Sequence, residues 1–519
     1  MKNSFLCFYL FVSVTVFSQS ATWNSNVANI IFENCGTCHH PGGIAPFSLI
    51  TYSEAYENAD DIAEVVEERK MPPWLPDPNY VHFAGEKVLT EEEMNTLVAW
   101  AEAGAPVGTG TAPEVPVYED GELMDAPEQV IQLPTYEVQL NTDEYRTFVL
   151  HSDLTETKYI SEMEFVIANS SAVHHILFFH DTSNISFELD LADPFPGYAS
   201  NGTTTSSPYA KLIAGWAPGE NGVFKLPYGM GFEVPAGSDF VVEIHFAPGS
   251  EGQKDSTKIN LKYSDAVFTR PVWVDPILYH FPPVFQEPLF YIPANEIVTF
   301  NEVFENIAES YGVDLTFISA SPHMHLLGET FKAYAISPDG DTTRFIYIPD
   351  WDFHWQNAFV FQKPLRIKQG SDIYGTATYN NTSENENNPT DPPQDVFLGE
   401  QTTDEMMLCF FAYTFYLPGD EDIIMDSSIL SSTMNIEELK NVHVFPNPAT
   451  DLMQVQFYDN SVSNFNIKVY DIFGREALSM YHLTAQQTID ISGWDAGMYA
   501  VEVNAGGKKK IFKIIKQNE

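Results

Sequence analysis

The sequence predicts a multidomain chain: a small all-α domain first, two all-β sandwiches next, and a short third β-sandwich last. Three observations predict this. At about 150 residues per domain, 519 residues make roughly three to four domains. Helical periodicity is confined to the part before Gly110, and from Gln129 onward short apolar or alternating runs recur between Pro, Gly, Asn and Asp clusters, as in β-sandwiches. The composition, 44% hydrophobic and 14% aromatic, can fill several cores and excludes wholesale disorder.

Charge narrows the function classes. There are 25 Lys+Arg against 72 Asp+Glu, a formal charge of −47. No basic surplus exists to displace phosphate counterions, so nucleic acid is not an expected partner. Docking on anionic lipid is disfavoured for the same reason.

Residues 1–20 read as a signal peptide. Met1-Lys2-Asn3 is a short basic start, Phe5 to Phe17 is almost wholly apolar, and Ser18-Gln19-Ser20 supplies small residues for cleavage. The apolar run, roughly 13 residues, is too short to span a bilayer. No later stretch is long enough either, so no integral membrane segment is expected after cleavage. Cys7 leaves with the signal, and Cys35, Cys38 and Cys409 remain. Three thiols do not build a disulfide framework, so the chain is disulfide-poor and Cys35 and Cys38 need another explanation.

Residues 21–110 are helical in pattern. Ser53 to Met71 reads as one helix; Thr90-Glu91-Glu92-Glu93 opens another, with Met94, Leu97, Val98 and Ala101 on one face and Gly104-Ala105-Pro106 as the stop. Here lies Cys35-Gly-Thr-Cys38-His39. Two thiols separated by two residues can add to both vinyl groups of a haem while the following imidazole takes the iron. A redox dithiol would want a βαβ setting, and a zinc site a second ligand pair. The expected cofactor is one covalently bound haem c, held by Cys35, Cys38 and His39. Met71, fixed by Pro72-Pro73-Trp74, is the expected sixth ligand, with Met94 the rival. The segment resembles a small cytochrome c domain, including Leu97, Trp100 and Gly104-Ala105-Pro106.

Residues 111–134 read as a linker rich in Gly, Pro, Glu and Asp. Residues 135–275 and 276–420 read as two sandwiches, divided near the Pro-rich stretch Pro271 to Pro288, and 421–440 as a second linker. Two histidine clusters stand out. In Ser321-Pro-His323-Met-His325 the i, i+2 spacing puts both imidazoles on one strand face, able to grip one metal. His174 and His175 alternate on a regular strand and can share a metal only at a bulge or strand end. His245 is a lone polar residue in an apolar strand, a pattern that taken singly more often marks a satisfied core histidine.

The order His-His, His, His-x-His, then Thr403-Asp404-Glu405-Met406, resembles the copper type II, ascorbate-dependent monooxygenases, the family of peptidylglycine and dopamine monooxygenases. The resemblance covers roughly residues 135–420 and includes Trp351-Asp-Phe-His-Trp-Gln356 and Gly399 to Met406. It implies jelly-roll-like sandwiches and two copper ions. His174, His175 and His245 would hold an electron-transfer copper; His323, His325 and Met406 would hold the oxygen-binding copper and carry catalysis. Met407, on the opposite strand face, is excluded if Met406 binds. A thioether favours Cu(I), the state that meets dioxygen.

The implied reaction is hydroxylation of a substrate C–H bond with O2, an electron crossing a solvent gap between the sandwiches. The partners would be a small-molecule substrate and a reductant such as ascorbate or another redox protein, with the haem as built-in relay. Two departures matter. Peptide-amidating relatives clamp a carboxylate with an Arg where this chain has Ser321, helped by polar residues where it has Leu408 and Phe410. Peptide α-amidation is therefore not expected, and the substrate should be less polar or neutral. The eukaryotic relatives are also disulfide-rich, whereas Cys409 stands here as a buried strand thiol. A different reading, a surface electron-transfer or copper-binding protein without hydroxylase turnover, fits the same ligands. His40, His82, His151, His180, His280, His354, His443 and His482 read as surface or structural, with His180 and His354 the best candidates among them to stand behind the metal ligands.

Residues 441–519 carry Val444-Phe-Pro-Asn-Pro-Ala-Thr-Asp451, Ile491-Ser-Gly-Trp494 and a basic end. They resemble the C-terminal sorting domain of type IX secretion, an immunoglobulin-like β-sandwich. That implies export through the periplasm to the cell surface or medium, with the type IX secretion machinery as partner.

Overall fold

The computed structural model describes residues 21–517, apart from 44, 119–121, 201–206, 219–221, 267, 281–288, 308–311, 427–441, 458–463, 472–475, 485 and 506–507. The expected signal peptide and most of the expected linker 421–440 lie outside the described residues. The chain forms two compact units. One comprises the chain up to Trp74 together with Lys87–Asp120; the other comprises Leu75–Glu86 and everything from Gly121.

The first unit is helical. A π-helical turn at Trp23–Val27 runs into α1 (Ala28–Asn34), followed by α2 (Tyr52–Glu57), α3 (Ala59–Glu67) and α4 (Glu91–Glu102). Capping boxes, Thr51 with Glu54 and Thr90 with Glu93, start α2 and α4 by satisfying their first free N–H groups. The helix expected over Ser53–Met71 is two helices. Asn58 turns its side-chain amide onto the Glu54 carbonyl at 2.7 Å and ends α2 there. Trp23, Ile31, Phe32, Ile62, Leu97 and Trp100 form the core, and Met94 packs at its edge rather than standing free.

The second unit is built on strands. Eight position the site: β1 (Glu144–His151), β2 (Val173–Asp181), β3 (Ala210–Trp216), β4 (Asp239–Phe246), β5 (Arg270–Tyr279), β6 (Leu315–His323), β7 (Phe359–Ile367) and β8 (Leu408–Phe415). A five-stranded sheet runs Tyr198–Ala199, β1, β4, β2, β3. It packs on a nine-stranded sheet through Phe148, Phe178, Phe240, Phe246 and Met163.

The nine-stranded sheet crosses the boundary expected at 275/276. β5 pairs in parallel with Met230–Val234 at its start and antiparallel with β8 further on. One strand therefore belongs to both sandwiches, and the sheet continues through β6 to β7. The expected linker 111–134 likewise contains a strand, Gln129–Gln132, paired with Lys258–Tyr263. A four-stranded sheet closes the second sandwich, with Phe345 stacked on Phe317 of β6 at 5.3 Å. Arg270 grips Asp420 at 2.7 and 2.8 Å, and Thr316 also donates to Asp420. This buried ionic knot ties β5, β6 and the chain after β8 together. The last residues form a three-stranded and a four-stranded sheet around Met453, Val455, Ile467, Val469, Val501 and Val503. Among the described residues no helix is long and apolar enough to cross a membrane.

Candidate metal centre

His174 and His175 lie on β2, and His245 lies on β4 beside them. The two strands are in register down to His245 opposite His175; the next pair is Phe246 opposite Val173. His174 is thus the extra residue of a β-bulge. Without it, alternation would turn one of the two imidazoles into the core. The donor nitrogens of His174, His175 and His245 lie within 4.8 Å of one another.

The nitrogens that converge can be named. His174 Nδ1 and His175 Nδ1 are 3.2 Å apart. Two nitrogens bound roughly 2 Å from one ion at a tetrahedral angle stand about 3.3 Å apart. His245 Nδ1 is buried with no hydrogen-bond partner, while its Nε2 donates to Asp143 Oδ1 at 2.8 Å. A carboxylate behind a ligating imidazole fixes the tautomer and turns the other nitrogen to the metal. Burial pushes the Asp143 carboxyl up, but hydrogen bonds from His245 and Thr402 bring it below the usual carboxylate range. Tyr145 lies flat on His245, centroids 4.2 Å apart and planes 10° apart.

His323 ends β6 and His325 follows two residues on. Both are turned the opposite way. His323 Nδ1 donates to Gln356 Oε1 at 2.6 Å, and His325 Nδ1 to the Asp404 carbonyl at 3.0 Å, leaving each Nε2 free. Met406 lines the same cavity, whereas Met407 is wholly buried against Gly375 on the other face, as strand alternation requires. Glu405, wholly buried, accepts from the backbone N–H of His325 (2.8 Å), Leu327 (2.6 Å) and Met406 (3.2 Å). One carboxylate therefore holds together the two segments that carry the second set of candidate ligands. Burial pushes that carboxyl up to about 8, and the N–H bonds pull it down.

Both sets open into one cavity of about 180 Å³. Where the resemblance implies a solvent gap, the rings of His175 and His323 stand 6.5 Å apart, and Phe353 packs on His174 at 4.8 Å and near His325 at 5.9 Å. Ser321, Leu408 and Phe410 line the wall with Trp216 and Val274, and among the described residues no Lys or Arg does. His354 is at the wall; His180 is not, lying instead further along β2 opposite Phe240. Burial lowers the imidazoles of His174 and His325 to about 3 and of His323 to about 4, and lowers His175 strongly. All are held neutral, the form that binds metal.

In the helical unit Cys35 and Cys38 are free thiols just after α1. His39 Nδ1 donates to the Phe47 carbonyl at 3.0 Å, leaving Nε2 available. Burial, then the neighbouring Cys38, raises the Cys35 thiol to about 12. Met71 is exposed after the turn that ends α3. Cys409 is buried and free, as expected.

Asp143 and Tyr145 were not marked by spacing, because each meets His245 about 100 positions away, and Thr402 and Glu405 sit in a recognisable motif whose spacing did not show that they bond Asp143 and the His325 backbone. Gln356 sits in a recognisable motif, yet only the fold shows that it holds His323.

The site is a pair of imidazole sets with one thioether, a soft-leaning nitrogen–sulfur centre. Residues 290–441 match the family model "Copper type II ascorbate-dependent monooxygenase, C-terminal domain". Residues 443–517 match "Secretion system C-terminal sorting domain". The chain thus carries a copper monooxygenase C-terminal domain, with His323, His325 and Met406 inside it, and a sorting tail that sends it by type IX secretion to the cell surface or medium. No curated protein matches it. Among solved structures it overlaps a glycosylasparaginase, PNGase F, from Flavobacterium meningosepticum (9% identity, 55% of this chain, 96% of that one, TM-score 0.23). It also overlaps the sulfur carrier protein SoxY from Chlorobium limicola f. thiosulfatophilum (16%, 18% and 91%, TM-score 0.12). A third overlap is with an immunoglobulin-like β-sandwich protein from Bacteroides vulgatus (18%, 14% and 83%, TM-score 0.13). Overlaps this small bear on neither the fold nor the chemistry of this chain.

Proposed function

We propose that this is a secreted copper-dependent monooxygenase that hydroxylates a C–H bond of a small, weakly polar substrate, with a c-type haem on the same chain as electron relay. The observation that supports it most is the opposed use of ring nitrogens in one cavity. His174, His175 and His245 would hold one copper through Nδ1; His323 and His325, through Nε2, and Met406 would hold the other. Bound there, copper supplies reduction of dioxygen and removal of a substrate hydrogen atom.

The chain's own residues do the rest. Asp143 and Gln356 hold imidazole tautomers, Glu405 keeps His325 and Met406 together, and Phe353 fills the space between the two sets. Leu408, Phe410 and Val274 offer an apolar wall, and among the described residues no Lys or Arg lines it to pair a carboxylate. This lining supports a less polar or neutral substrate over a peptide carboxylate. Cys35, Cys38, His39 and Met71 would hold the haem. The test is oxygen uptake by the copper- and haem-loaded protein with ascorbate and a panel of small apolar compounds, with product analysis. Hydroxylated product that disappears in Met406→Ala supports the reading; robust hydroxylation of a glycine-extended peptide overturns the substrate class.

A further inference from the structure

Two polar atoms of the cavity wall are left over once the candidate ligands and their supports are paired. Glu400 and Asn357 both line the cavity. Glu400 Oε1 and Asn357 Oδ1 are buried and, among the described residues, have no hydrogen-bond partner. A buried acceptor left unpaired costs free energy, and native chains keep few of them. In a pocket that is otherwise mostly apolar, a few such atoms decide which group of a ligand enters and how it is turned. The converging set of His174, His175 and His245 does not include Glu400.

Each of the two residues is held one step from a different ligand set. The Glu400 carbonyl accepts from the Tyr145 hydroxyl at 3.0 Å, and Tyr145 lies flat on His245. Asn357 directly follows Gln356, which holds His323. A molecule caught by either acceptor is therefore kept beside the candidate metal ligands, with Leu408, Phe410 and Val274 left to cover its apolar surface.

The group that suits these atoms is a hydroxyl. An amide oxygen only accepts, so Asn357 Oδ1 calls for a donor. Burial, then the nearby Glu243 and Asp404, pushes the Glu400 carboxyl up to about 7. Below that value the carboxyl is neutral and offers no countercharge to a cation. A hydroxyl can donate to the amide oxygen and can either donate to or accept from a neutral carboxyl. An ether or a hydrocarbon of the same shape leaves Asn357 Oδ1 unpaired.

We propose that Glu400 and Asn357 form the polar end of the substrate pocket and select a neutral molecule that is apolar over most of its surface and carries a hydroxyl. This names the substrate class of the site and rests on the reading of that site given above.

The experiment uses the full chain, dialysed against copper and kept without reductant so that nothing turns over. It is titrated by calorimetry at about pH 6, below the Glu400 value, with para-cresol, its methyl ether and para-methylbenzylamine. The cresol should bind at least about tenfold tighter than its methyl ether, the penalty for one buried acceptor left unpaired. Glu400→Leu and Asn357→Leu should each remove most of that preference. Glu400→Gln, which keeps an acceptor and a donor in the same place, should retain it. No binding of the cresol, equal binding of cresol and ether, a preference that survives both leucine substitutions, or tighter binding of the amine overturns the proposal. Copper is counted in the same samples. Two coppers with no preference for the cresol sink this pocket assignment alone, whereas a chain that takes up no copper sinks the monooxygenase reading, whatever it binds.

Discussion

Two carboxylates hold the candidate site in shape. Asp143 accepts from His245 Nε2 and also from Thr402 Oγ1 at 3.0 Å, linking the three-histidine set to the segment that ends in Met406. Asp143→Asn can present its amide to the imidazole in the wrong sense. It should weaken copper binding at that set by roughly 10–100-fold. A copper titration resolved by His323→Ala/His325→Ala in the background measures this, and unchanged affinity would contradict it. Glu405→Gln puts an amide N–H against backbone N–H donors. It should cost about 1–3 kcal/mol and release copper selectively from the second set; elemental analysis showing both coppers retained would argue against the role.

At this scale the sequence was partly legible. The candidate ligands stand at readable spacing, and the bulge condition on His174-His175 follows from alternation alone. Which nitrogen each ring presents was not legible, because Asp143, Gln356 and the Asp404 carbonyl reach the rings from 33 to 102 positions away.

Among the elements, the shared strand β5 was the least legible. Pro271 and Pro276 suggested a break, yet Pro is tolerated where its missing N–H faces away from a ladder, and register slips between Pro276 and Leu278 absorb the second one. The strand is locked by the Arg270–Asp420 pair, 7% and 5% exposed. Arg270→Ala leaves a buried carboxylate unpaired and should destabilise the β unit by about 3–5 kcal/mol in urea unfolding. A loss below about 1 kcal/mol, the range of exposed pairs, would show that the knot is solvent-accessible. The helix break at Asn58 and the bridge from Phe83 to Phe361 of β7 were also hidden, the first in one side-chain bond, the second in pairing across more than 270 positions. By contrast, the capping box at Thr90, the stop at Gly104 and the tail strands were plain in the pattern.

For the whole molecule, order along the chain was legible and division into units was not. The −47 charge and the sorting tail agree on an exported protein, but the helical unit is interrupted by a segment of the β unit, which no composition shift announces. Neutral buried imidazoles give the metal-free protein an acid limb. The unfolded chain takes up these protons near 6.5, whereas the folded chain does so only at about 4 for His323 and about 3 for His174 and His325. More protons are bound unfolded below pH 6.5, so stability should fall progressively from there toward pH 4. Thermal melts of the copper-free protein across that range check this, and a flat profile would contradict it.

The most direct test of two separate trios is copper counting. After dialysis against copper and removal of excess, the parent chain should hold two ions. His174→Ala/His245→Ala should hold one, and His323→Ala/His325→Ala should hold one. A parent value of one, abolished by either pair of substitutions, would mean a single shared site and would contradict the account.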